Sequence, residues 1–90
     1  MDTDVSATAS HAPDPTHSIT PSGSPFVYQN LSQWPENVIV TGGTVTAIAF
    51  SRDGIAYVPT GILGGQVMLG PKDYIKVTYL VAPSITGVPL

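Results

Sequence analysis

The sequence predicts an all-β protein: a small antiparallel β-sandwich or jelly-roll-like barrel of about six short strands, carrying an extended N-terminal arm. Three observations point there. From Pro25 onward, short runs rich in Val, Ile, Thr, Tyr and Phe recur along the chain. Gly, Pro, Asn and Asp separate them at roughly 8–12-residue spacing, the rhythm of a sandwich or barrel. No window shows the 3.6-residue apolar period of a helix.

Residues 1–24 differ from the rest. They are rich in Ser, Thr, Ala, Pro, Asp and His, and Pro13, Pro15 and Pro21 rule out a helix through the middle. After Met1 the only sizeable apolar residues are Val5 and Ile19. Such a composition predicts an extended polar arm over 1–24. The β-domain is placed at 25–83 and an extended tail at 84–90.

Within the domain, Phe26–Asn30 is an aromatic and β-branched strand with Phe26 and Tyr28 on one face. Pro35-Glu36-Asn37 reads as a turn, and Val38–Thr41 as an apolar strand broken by Gly42-Gly43. Thr44–Phe50 alternates, with Ile48 and Phe50 on one side and Val45, Ala47 and Ala49 on the other. Ser51-Arg52-Asp53-Gly54 predicts a hairpin turn and Ile55–Val58 its returning strand. Pro59-Thr60-Gly61 ends it, Gln66–Leu69 is a fifth strand, and Gly70-Pro71-Lys72-Asp73 is a second hairpin turn. Tyr74–Val81 is the longest strand, with Ile75, Val77 and Tyr79 facing one way, and Pro83 stops it. The predicted core is Phe26, Tyr28, Val38, Val40, Ile48, Phe50, Tyr57, Leu69, Ile75, Val77 and Tyr79.

Composition limits function. A folded part of roughly 65 residues lies near the lower limit for a self-sufficient core. The chain has no cysteine, which removes disulfides as a staple. Oligomerisation or docking on a larger partner is the remaining device. Only 10% of residues are charged while 42% are hydrophobic, against about 25% charged in an average soluble domain. Neutral surface of that kind suits protein–protein contact. The net charge is −3, and no basic stripe offers a nucleic-acid footprint. No apolar run approaches the ~20 residues of a membrane span. Met1-Asp2-Thr3-Asp4 lacks the apolar core of a signal peptide.

Chemistry-bearing patterns are few. His11 and His17, with Asp14 between them, match no zinc spacing. Asp2 and Asp4 lack the glycine and distal glutamate of a calcium loop. Ser51-Arg52-Asp53 are neighbours on a tight turn, a placement that does not converge on one substrate atom. Glu36, Asp53 and Asp73 each fall in a predicted turn, which leaves the strands without acids and argues against paired-carboxylate hydrolysis. Gly42-Gly43 and Gly64-Gly65 are followed by no helix and read as bulges or strand ends, not phosphate loops. Trp34 is read either as an interface anchor or end cap, or as a sugar-stacking ring near Gln29, Asn30, Gln33 and Asn37. The expectation is a non-enzyme with no metal and no cofactor.

The order of these signatures resembles a known class. Phe26-Val27-Tyr28-Gln29-Asn30 leads to a Val-Ile-Val strand ending in Gly42-Gly43-Thr44-Val45. Ser51-Arg52-Asp53-Gly54 then precedes Tyr57 and Thr60-Gly61, and Leu69-Gly70-Pro71-Lys72-Asp73 opens Ile75-Lys76-Val77-Thr78-Tyr79. This run is similar to small β-domain structural proteins of tailed bacteriophages, of the capsid decoration or cement type. The resemblance implies a virion subunit on the capsid exterior, made in the host cytoplasm. It would bind the major capsid protein or other virion subunits and work as a dimeric or trimeric homo-oligomer, without nucleic acid or membrane. Interface candidates are Val5, His17, Ile19, Trp34, Arg52, Leu80, Val88 and Leu90. Deleting 1–22 is expected to leave a folded domain with weakened assembly. The alternative is a carbohydrate- or ligand-binding β-sandwich module centred on Trp34.

Overall fold

A computed structural model describes residues 15–90. Among them there are eight strands and no helix: β1 (His17–Ile19), β2 (Phe26–Gln29), β3 (Glu36–Thr41), β4 (Thr44–Ser51), β5 (Val58–Pro59), β6 (Gly65–Leu69), β7 (Tyr74–Val81) and β8 (Ser84–Pro89). They form two four-stranded antiparallel sheets, ordered β1-β8-β3-β6 and β2-β7-β4-β5. The first strand therefore pairs with the last, the second with the seventh, the third with the sixth and the fourth with the fifth. The chain is one long hairpin doubled at the β4–β5 connection and wrapped so that its strands alternate between sheets.

Alternation within each strand supplies the core, because successive side chains point to opposite faces. Registers place His17, Gly87, Val38 and Val67 in one inward row and Ile19, Ile85 and Val40 in the next. The facing sheet contributes Val45, Ile48, Ile75 and Val77, all buried. Phe26, Tyr28, Phe50 and Tyr79 pack around this cluster.

The sandwich prediction stands, with two more strands than the sequence signals. Both lie in segments read as arm and tail. Ser84–Pro89 carries only Ile85, Val88 and the small or rigid residues between, yet it lies between β1 and β3 in the middle of its sheet. Ile85, Gly87 and Pro89 face inward, so a strand with one small inward residue hides its period. Pro83 does stop β7, but as a buried corner from which the chain crosses to the other sheet. β1 is a three-residue strand inside the predicted arm, held by pairing to β8 and by the burial of Ile19.

Other differences have local causes. Glu36 and Asn37 are strand residues, not a turn, and Glu36 is buried. Val45 faces the core with Ile48 because bulges between Thr44 and Ala47 shift the alternation by one. Ile55–Tyr57 is not a strand: Asp53 Oδ1 accepts the amides of Ile55 and Ala56, which removes them from any ladder. Those bonds, with one from the Ser51 hydroxyl, hold the exposed Asp53 carboxyl below the usual range. Pro71 and Lys72 make a tight turn, with Lys72 at φ 68° as the third position of a type II turn requires. That turn crosses between sheets instead of closing a hairpin. Tyr57 is not core; its ring lies beneath the Lys76 ammonium, 4.1 Å away.

Gly42-Gly43 turns the chain from β3 into β4 with both residues left-handed, at φ 72° and 63°. A Cβ on Gly42 meets nothing, whereas one on Gly43 lies 2.5 Å from the Val81 carbonyl oxygen and 2.7 Å from the Pro83 nitrogen. Gly42→Ala should therefore cost roughly 1 kcal/mol, the left-handed penalty alone. Gly43→Ala should cost roughly 3 kcal/mol or more, since backbone must move. Urea midpoints of the two variants check this; equal midpoints would refute the close approach.

Candidate functional site

One end of the sandwich holds a cleft of about 410 Å³ between the edge strands β1 and β2 and the loop 30–35. At its floor is Glu36, the first residue of β3, with 3% of its surface exposed. Its pairing with Pro89 on one side and Leu69 on the other turns the side chain inward. A buried carboxylate is costly unless its oxygens receive hydrogen bonds. Tyr28, inward-facing on β2 of the opposite sheet, donates its hydroxyl to Oε1 at 2.6 Å. His17 on β1 donates Nε2–H to Oε2 at 2.5 Å; a carboxylate only accepts, which fixes that proton on Nε2.

Gly87 makes the pair possible. It lies between His17 and Val38 in the register, and a Cβ there would overlap both Glu36 Oε2 and His17 Nε2. Burial, then the hydrogen bond to Glu36 and its charge, push the Tyr28 phenol far above the ordinary tyrosine range.

The wall of the cleft is shaped by Asn30, which is itself buried. Its amide nitrogen donates to the carbonyls of Trp34, Leu69 and Gly70, at 2.8, 3.4 and 3.2 Å. Its oxygen accepts the Ser32 amide and hydroxyl. The loop that presents Leu31 and Trp34 is thereby tied to the β6–β7 turn. Lys72 reinforces the tie by donating to the Leu31 carbonyl. Gln29 Nε2 donates to the Lys72 carbonyl.

The candidate residues separate. His17 and Trp34 meet at the cleft, while Ile19 is in the protein's own core. Arg52 is exposed, 3.7 Å from the buried Asp73 carboxylate. Leu80 is 80% exposed at the far end of β7 and Leu90 is exposed next to the cleft end, where its amide donates to the Pro35 carbonyl. Val88 lies on the outer face of β8, half-buried. Val5, like His11 and Asp14, lies outside the described residues. Sequence reasoning placed Tyr28 in the core and Glu36 in a turn, and gave neither a part in the site. The Pro35-Glu36-Asn37 turn signal masked an acid that begins a strand, so the exclusion of strand acids does not hold for β3. Among the described residues no group of three His, Cys, Asp or Glu is placed to hold a metal ion.

Comparisons with protein-family models, with curated proteins and with solved structures return no match.

Tyr28→Phe should destabilise the fold by roughly 1.5–3 kcal/mol at pH 8, the usual worth of a hydrogen bond to a charged group. The folded phenol titrates higher than the unfolded one, so its contribution is complete below about pH 10 and is lost as pH rises further. Urea midpoints at pH 8 and 11 should show the gap between wild type and variant narrowing at the higher pH. A constant gap would mean that the phenol is not held by Glu36.

Proposed function

We propose that the chain is a virion structural protein, a capsid decoration or cement subunit with jelly-roll connectivity that binds by protein–protein contacts. The observation that carries this reading is the asymmetry of the sandwich. Registers place Thr41–Thr44, Gly65 and Val81–Ser84 together at the end opposite the cleft. No charged residue lies among them or in the 54–71 segment that leads there. That end and its approach expose Leu80, Val81 (58%), Leu63 (58%) and Ile62. Exposed large apolar residues grouped without charge mark interaction surfaces. Cement subunits need no catalysis, only a compact unit and reaching segments whose second contact becomes intramolecular once the first is made.

β1 changes which deletion can test the arm. Removing 1–22 would delete an edge strand together with Ile19 and His17, so a truncation that leaves the domain whole must stop short of His17. The ligand-binding alternative is favoured by one observation, the cleft itself, although Asn30, once grouped with the sugar contacts, is consumed by the fold.

Three outcomes are expected for phage particles produced from the genome that encodes the chain. Purified particles should contain it in fixed ratio to the shell subunit, and its absence from them would end the proposal. Leu80→Lys should leave the unfolding free energy within about 0.5 kcal/mol of wild type, as an exposed site does, yet lower particle occupancy at least tenfold. Deleting 1–14 should lower it without unfolding the domain.

A further inference from the structure

We infer that the cleft at the Glu36 end receives an arginine side chain presented by a partner protein. The inference rests on the cleft alone and stands apart from docking through the charge-free end.

The choice of ligand follows from which polar groups are already spent. A sugar needs several donors and acceptors turned toward it. Here the Asn30 amide is used by three carbonyls and by Ser32, the Gln29 amide nitrogen by Lys72, and the Ser32 hydroxyl by Asn30 and the Trp34 carbonyl. The floor is left with a carboxylate. Each Glu36 oxygen accepts one side-chain hydrogen bond and has a second lone pair. The walls are Tyr28, Trp34, Leu31, Pro15 and Pro89, and among the described residues no Lys or Arg lines the cleft.

A negative group beneath aromatic rings in a mostly apolar recess is complementary to an organic cation. Arginine fits better than lysine. Its planar guanidinium stacks on an aromatic face, presents paired N–H donors to both oxygens of one carboxylate, and loses less hydration on entry than an ammonium. The apolar rim, with Leu31 and Trp34 exposed, suits the methylene stem and the flanking partner surface. Tyr28 supplies Glu36 with a hydrogen bond but no countercharge, which an arginine would bring.

The protein contains one tryptophan, so full-length protein can be titrated with Nα-acetyl-arginine methylamide while Trp34 fluorescence and the amide spectrum are followed. Parallel titrations use the lysine and glutamine analogues and methyl glucoside. The expected result is a saturable response to the arginine compound, localised to Trp34, His17 and Gly87. It should be weaker with lysine and absent with the two neutral compounds. Glu36→Gln should weaken it at least tenfold. Tyr28→Phe releases one lone pair of Oε1 and should tighten it severalfold, which keeps the test decisive if Glu36→Gln does not fold. A lack of saturation with arginine, a response to methyl glucoside instead, or a folded Glu36→Gln protein of unchanged affinity would each overturn the inference. None of these outcomes bears on particle occupancy, so failure here is distinguishable from failure of the decoration reading.

Discussion

A carboxylate taken out of water must be met by donors, and at one end of this molecule that requirement organises three strands and both sheets. Glu36 sits on β3, Tyr28 on β2 of the opposite sheet, and His17 on the edge strand β1. Two hydrogen bonds to one carboxylate thus tie the sheets together at their open edge and secure a three-residue strand that backbone pairing alone would hold weakly. The geometry tolerates no Cβ at Gly87. Losing any donor leaves buried charge unsatisfied, which costs more than the bond itself contributes. The arrangement therefore acts as a specificity device for register: a slip of β1 by one residue would turn His17 outward and Ser18 toward Glu36.

Much of the sandwich was legible in the sequence because its central strands obey alternation. Val38 and Val40, and Ile75 and Val77, are apolar at every second position and lie in the core as read. The strands that were missed break that rule for physical reasons. β8 places Gly87 at an inward position because a side chain there would displace the Glu36–His17 pair, so the strand looks like a loop. β1 is too short to show a period and its inward residues are one isoleucine and one histidine. In β4 a bulge moves Val45 to the face that strict alternation denies it.

The site was less legible than the fold. Trp34 and His17 were noticed separately, but nothing in a linear reading joins residues 19 apart in sequence, such as His17 and Glu36. The turn signal at Pro35-Glu36-Asn37 was misplaced, because Glu36 and Asn37 both belong to β3. One signal was present in retrospect. Glu36 is the sole acid between Asp14 and Asp53, adjacent to a Val-Ile-Val run, and an isolated acid at the start of a buried strand needs partners of its own.

The distribution of charge joins fold and function. Of the described acids and bases, Glu36, Arg52, Asp53, Lys72 and Asp73 lie at or near the cleft end, and Lys76 sits over the Tyr57 ring at mid-sheet. The polar work of the molecule is concentrated where loops must be tied and a carboxylate buried. The opposite end, free of that work, exposes apolar residues that water does not favour. A monomer in solution gains nothing from such an end, and edge strands beside it invite association. A subunit seated on a surface gains from it directly, because burying Leu80, Val81 and Leu63 requires no desolvation of charge. Under the proposed reading, the sparse charge of the sequence would mark a molecule whose stable state includes a neighbour, with adhesion at the charge-free end and choice of partner at the carboxylate end.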